Sequence, residues 1–216
     1  MSWGIARKDS RIKSAYKRYL AFATLCYILA SDDARSSYIK SAAEAYLLSL
    51  VMIAKGLENP AHVLMRQSLE MSLKHIYFST HPVEYKWAQN KINYREVNFQ
   101  FLLDYLRKSD ELDIYKSKDL LITKIEEHFH LLSRYVHAHN IQFTSFSSED
   151  YNLPSNAKSF ERISKQAGEL ASLSIIILIS FFRQKFFASQ ENEKSLIRSA
   201  LLSNYKNEIN EFAHHS

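Results

Sequence analysis

Apolar residues recur along this chain at intervals of three and four, the period of helices that bury one face. Ile39, Ala43, Tyr46, Leu47, Leu50 and Ile53 form one such stripe, which stops at Gly56, in the position expected just past a helix C-terminus. Asn59-Pro60 then reads as an N-cap followed by proline in the first turn, restarting a helix that runs to about Thr80 before His81-Pro82. These two segments predict an antiparallel helical hairpin. Phe99, Leu102, Leu103 and Leu106 mark a third apolar face, and Leu121, Ile125, Phe129, Leu132 and Val136 mark a fourth. Over residues 140–156 the composition turns to Ser, Thr, Asn and aromatics with Pro154, which reads as a long loop. Helix is expected again over 157–187, and a more amphipathic segment over 193–212. No internal repeat or low-complexity tract interrupts the pattern.

Composition narrows the fold class to all-α. Only three glycines and three prolines stand among 216 residues, too few for a set of tight hairpins, and no glycine-rich phosphate loop can be written. With 46% hydrophobic residues the chain can bury a core, and one helical domain over 1–216 is expected, with its core over about 40–187 and basic N-terminal and C-terminal helices appended. Cys26 is the sole cysteine, so neither an internal disulfide nor a thiolate metal cluster can form, which suits a reducing cytoplasm. Met1 to Lys8 is charged and leads into no clean apolar stretch, so no signal peptide is expected. The densest apolar run, over 171–182, falls short of the roughly twenty residues of a membrane span and reads as a buried helix.

The net charge of +5 permits a polyanionic partner without demanding one. Its distribution says more: Arg7, Lys8, Arg11, Lys13, Lys17 and Arg18 fall within twelve residues against one acid, Asp9. Such a stripe is either a solvated helix face or a surface that tracks RNA phosphates, with Arg11, Lys17 and Arg18 as the contacts.

Candidate chemistry concentrates in Ser133-Arg134-Tyr135-Val136-His137-Ala138-His139, at the end of the fourth helix. At about 100° per residue, Glu127, His130, Arg134 and His137 gather opposite the apolar stripe. They are either an ordinary solvated face or a site in which arginine meets the charge on phosphorus and an imidazole moves a proton. Arg134 and His137 stand about 60° apart and could reach one phosphate. His139 is about 140° from Arg134 on a continuous helix, which leaves a structural histidine as its alternative. Arg66 and Glu70, one turn apart, are either an intrahelical ion pair or support for the site.

Arg134 with His139 five residues on resembles the arginine, four residues, histidine motif of HEPN domains. Leu132-Ser133-Arg134-Tyr135-Val136-His137 also resembles the Leu-Ser-x-x-Val-His signature of a bacterial HEPN-like group, in which His137 becomes the principal histidine. Arg66, Glu70 and His81-Pro82 are similar to an earlier helix of that group, so the likeness covers roughly 42–139. Tyr135 stands where many HEPN ribonucleases carry a polar residue. The resemblance implies an antiparallel helical bundle that dimerises with two motifs facing one cleft. It implies a metal-independent endoribonuclease without cofactor, in a toxin or antiviral-defence setting, whose partners are RNA, a second copy and an antitoxin or defence-system protein. Arg134, His137 and His139 would be catalytic, and Arg66, Glu70, Glu127, His130 and Ser133 supporting. A non-catalytic module that binds RNA, nucleotide or protein, and a plain oligomerisation subunit, are the other classes the residues allow.

Metal binding is the rival for so many histidines. His128 with His130, and His137 with His139, are two apart and point about 200° from each other on a helix, which opposes chelation, and no His-Glu-x-x-His segment occurs. No metal is expected. Cys26, among Phe22, Ala23, Leu25 and Ile28, reads as core, and His214-His215 as tail.

Overall fold

A computed structural model of the chain describes residues 10–30, 35–90, 97–113, 115, 117–136 and 157–201, apart from the side chains of 10–12, 136 and 157–159. Every regular element among them is helical. In order they are α1 (Ser10–Leu29), α2 (Ser36–Ala54), α3 (Glu58–Thr80), α4 (Pro82–Asn90), α5 (Phe99–Lys108), a 3₁₀ turn (Asp110–Leu112), α6 (Lys118–Val136), α7 (Ala157–Phe181), α8 (Arg183–Ala188) and α9 (Glu191–Ala200).

The hairpin of α2 and α3 is the most closely packed pair. Small residues on the facing sides, Ala42, Ala45 and Ser49 against Ala61, Ser68 and Ser72, are all buried and let the two backbones approach. Ser68 Oγ donates to the Ala42 carbonyl at 2.8 Å, tying the pair across the seam. The turn between them is made by Gly56 at φ 75°, a left-handed conformation in which a Cβ is disfavoured, as the end of the stripe predicted. Two details of the expected hairpin change. Helix α3 starts at Glu58 with Leu57 in the N-cap position, so Asn59 is already helical. Leu47 is 39% exposed because the buried phase of α2 runs through Ile39, Ala42, Tyr46, Ser49 and Ile53.

Helix α7 forms the centre. Residues 171–180 are buried without interruption, and α1, α2, α3, α6 and the 3₁₀ turn all pack on it. Its stretch Phe160–Phe181 is long and apolar enough to cross a membrane, yet most of its apolar window lies buried inside the fold, as a core helix does. Hydroxyls within this run bond locally: Ser172 Oγ to the Gly168 carbonyl at 3.1 Å, and Ser180 Oγ to the Ile176 carbonyl at 2.8 Å. The helix expected over 157–187 breaks at Phe182, whose φ of −122° and ψ of 36° leave the helical range, and restarts as α8.

Peripheral pieces dock on this frame. All four apolar residues foreseen for α5 are buried. Helix α3 ends at Thr80 as expected, and Pro82 then opens the short α4, since its missing N–H costs nothing in a first turn. Cys26 is buried, and burial pushes its thiol up, away from reactivity. The loop expected over 140–156, the segment beyond 201 and the pair His214-His215 lie outside the described residues.

Tyr46 shows how α1, α2 and α7 are joined. It is 1% exposed, stacks on Tyr19 at 5.8 Å, and donates its hydroxyl to the Ala167 carbonyl at 2.6 Å. Tyr46→Phe keeps the ring and removes one buried hydrogen bond, so it should cost about 1 kcal/mol with the urea m-value unchanged. Equilibrium unfolding measures this, and an unchanged midpoint would contradict the assignment of that bond as stabilising.

Candidate functional site

Helix α6 follows Ser117 with Asp119 in its first turn and Arg134 in its last, charges that complement the helix dipole at both ends. Leu121, Ile122, Ile125, Leu132 and Tyr135 are buried, and α3, α5 and α7 pack on the helix. Glu127, His130 and Arg134 are exposed together on the other side, the polar face that the spacing predicted. His130 is 64% exposed in its side chain, with Nε2 only 3.9 Å from Glu126 Oε1, the outer limit of an ion pair. Glu126 is engaged more firmly by Arg107, whose Nη2 reaches Oε2 at 2.7 Å. Ser133 Oγ donates back to the Phe129 carbonyl at 2.6 Å, so its hydroxyl serves the helix.

Arg66 of α3 is brought to this helix through an aromatic ring. Its guanidinium carbon lies 4.7 Å from the centroid of Phe129, which in turn stacks on Phe99 of α5 at 3.3 Å and 3°. A guanidinium laid over a ring is held by the ring quadrupole and keeps its edge donors for another acceptor. Nε of Arg66 is buried with no hydrogen-bond partner among the described residues. Its neighbour across Phe129 is His130, whose ring meets Phe129 edge-on at 6.2 Å. Glu70 does not join this group. It pairs with Lys74 at 2.7 Å, one turn further along α3, so the intrahelical pair forms with a different cation from the one the sequence offered.

The basic N-terminal residues are placed elsewhere. Helix α1 packs on α2, α7, α8 and α9, and is not among the helices that pack on α6. Lys17 is exposed on it, whereas the guanidinium of Arg18 fills the space that a Cβ on Gly168 would need, so Arg18 belongs to the α1–α7 contact. The Arg11 side chain, and all of His137 and His139, lie outside the described residues. Among the described residues no group of three His, Cys, Asp or Glu side chains is placed to hold a metal ion.

One residue was missed by sequence reasoning. His62 is 0% exposed, and its ring lies flat on Tyr135 at 3.7 Å and 5°, beside the motif arginine. Its Nε2 is 3.1 Å from Gln166 Oε1 of α7, so three helices meet at this imidazole. The signal was available: His62 precedes Met65, Leu69, Leu73 and Ile76 on the buried stripe of α3, a polar residue on a core face. A second link follows one turn on, where His128 Nε2 is 3.6 Å from Glu169 Oε2. Burial pushes both imidazoles below their usual value, with Gln166 and Glu169 respectively opposing the shift.

No family model, no curated protein and no solved structure matches this chain. The fold defines an all-α bundle, and its function is read from its own residues.

The depressed histidines give a pH dependence with a definite sign. Below the ordinary imidazole value of 6.5 the unfolded chain binds protons that the folded chain refuses at His62 and His128, so stability falls as pH drops through that value. Unfolding free energies measured near pH 7 and near pH 5.5 should therefore differ less in the His62→Gln, His128→Gln double variant than in the wild type. An equal difference in both proteins would mean that neither imidazole is held neutral.

Proposed function

We propose that this chain is a HEPN-like, metal-independent endoribonuclease acting as a homodimer in the cytoplasm. The observation that carries the reading is the exposed face of α6, where His130 and Arg134 stand one turn apart, with the Arg66 guanidinium over the Phe129 ring that His130 meets edge-on. An arginine and an imidazole on one helix face, with a second guanidinium held over the neighbouring Phe129 ring, are groups suited to a phosphodiester. In the sequence His137 and His139 follow Arg134 by three and five residues and supply the proton-transfer groups.

The chemistry is in-line transesterification. One motif histidine takes the proton of the 2′-hydroxyl, the O2′–P bond forms, and the P–O5′ bond breaks as the symmetry-related histidine protonates the leaving oxygen. Arg134 meets the charge that accumulates on the phosphorane, with Arg66 as a further donor. The products carry a 2′,3′-cyclic phosphate and a 5′-hydroxyl. A two-fold axis suits this division because one helix offers one such set, and the pair of subunits offers both an acid and a base. Unrestrained RNA cleavage is harmful to its host, which fits a toxin or antiviral effector held by an antitoxin or defence-system protein. Lys17 suits a contact to the RNA backbone, while Arg18, committed to Gly168, suits packing.

A second reading, a non-catalytic RNA-binding module, is favoured by one feature. Tyr135 packs its ring on His62, so the residue after the arginine is a packing residue where many HEPN ribonucleases carry a polar one.

Arg134→Ala and His137→Ala should each lower cleavage of single-stranded RNA by about 10²-fold or more, with helical content and dimer mass unchanged and with EDTA present throughout. Gel assays on purified variants, paired with circular dichroism and sedimentation, decide the matter. Full activity in the double variant would end the nuclease reading at this site, and RNA binding without cleavage in the wild type would leave the second reading standing.

A further inference from the structure

Helix α6 must end in a defined orientation if Arg134 is to serve a phosphate, because successive side chains on a helix point about 100° apart and a loose last turn would spread the guanidinium over a wide arc. Leu132 is buried one turn earlier, and Ser133 bonds only within its own helix. Tyr135, 8% exposed, is the last side chain of α6 that the structure describes, and its ring lies face to face on His62 of α3, as Phe129 lies on Phe99 of α5 nearly two turns earlier.

We infer that His62 is a positioning residue for Arg134: stacked on Tyr135 and bonded to Gln166, it locks the final turn of α6 to α3 and α7 so that Arg134 faces outward. The geometry accounts for why an imidazole stands at this place. A phenyl ring could stack equally well but would offer nothing to Gln166 Oε1, 3.1 Å away on α7. A glutamine or asparagine could reach that amide but has no flat ring to match Tyr135, whose plane lies within 5° of the imidazole. Around the stack stand Glu58 and Arg162, paired at 3.3 Å between the first turn of α3 and the second turn of α7, which close the same corner of the bundle. Burial holds the imidazole toward its neutral form, so the lock places no second cation behind Arg134.

The inference has two levels. The catalytic consequence rests on the proposed nuclease reading; the locking of the helix end does not. The full-length protein is tested as His62→Ala and His62→Phe, by hydrogen exchange of the amides in 131–136 and by steady-state cleavage of an RNA oligonucleotide well below the melting temperature. In His62→Ala the amides of that last turn should exchange about tenfold faster or more, while those in the centre of α7 keep their protection. Where the wild type cleaves, kcat should fall by about 10²-fold with KM within about threefold, since a displaced Arg134 is lost from the transition state more than from binding. His62→Phe restores the flat ring without the bond to Gln166 and should recover part of both losses, while the fall in kcat at nearly constant KM is the readout that a purely structural role would not show. If His62→Ala does not fold, His62→Leu, which fills the volume without a ring face, takes its place. Unchanged exchange in 131–136, or a kcat equal to that of a cleaving wild type, overturns the inference. If the wild type does not cleave RNA, the nuclease reading fails by itself, and the exchange data alone still confirm or overturn the lock.

Discussion

A helix that is apolar on every side has to be enclosed, and α7 imposes that condition on this molecule. Residues 171–180 present no face that water could cover, so neighbours must supply contact in every direction. Each fully buried Ile or Leu in such a run contributes about 1.5–3 kcal/mol relative to exposure, far more than any surface ion pair in the structure. Helices α1, α2, α3 and α6 are the enclosure, and each meets α7 at a polar detail that fixes its position: Arg18 over Gly168, Tyr46 on the Ala167 carbonyl, His62 on Gln166, and His128 near Glu169. The last two set the seating of the helix that carries the candidate chemistry.

Much of the bundle was legible because helical period is a local property. The stop at Gly56, the four buried residues of α5, the exposed row on α6 and the buried run of α7 all follow from spacing within one segment. What escaped was decided across segments or by backbone detail without a marker residue. The break at Phe182 has neither glycine nor proline to announce it. Helix α3 ends at Thr80 before His81-Pro82 as expected, but that Pro82 opens a further short helix had no marker in the spacing. Leu47 belongs to the expected stripe by angle, yet the tight α2–α3 seam selects smaller residues and leaves it outside.

The candidate site divides in the same way. That Glu127, His130 and Arg134 share a face could be computed from residue numbers alone. That Arg66 lies over Phe129, the ring His130 meets edge-on, could not, because the pattern assigned that ring simply to the apolar side. His62 was invisible for a related reason: its partner Gln166 is 104 residues away, and a histidine on a core stripe announces a hydrogen bond without saying to what. Glu70 had two cations within a turn, and the one chosen was Lys74.

The account turns on whether the outward face of α6, with Arg66, is where RNA phosphate binds. Nitrogen-detected NMR of the arginine Nε–Hε groups, titrated with an RNA carrying 2′-O-methyl groups so that it cannot be cleaved, addresses this directly. The account predicts that the Arg134 and Arg66 signals shift together, at the same RNA concentration, and lose that response as salt is raised. Shifts confined to other arginines, with Arg134 and Arg66 unmoved at saturating RNA, would contradict it.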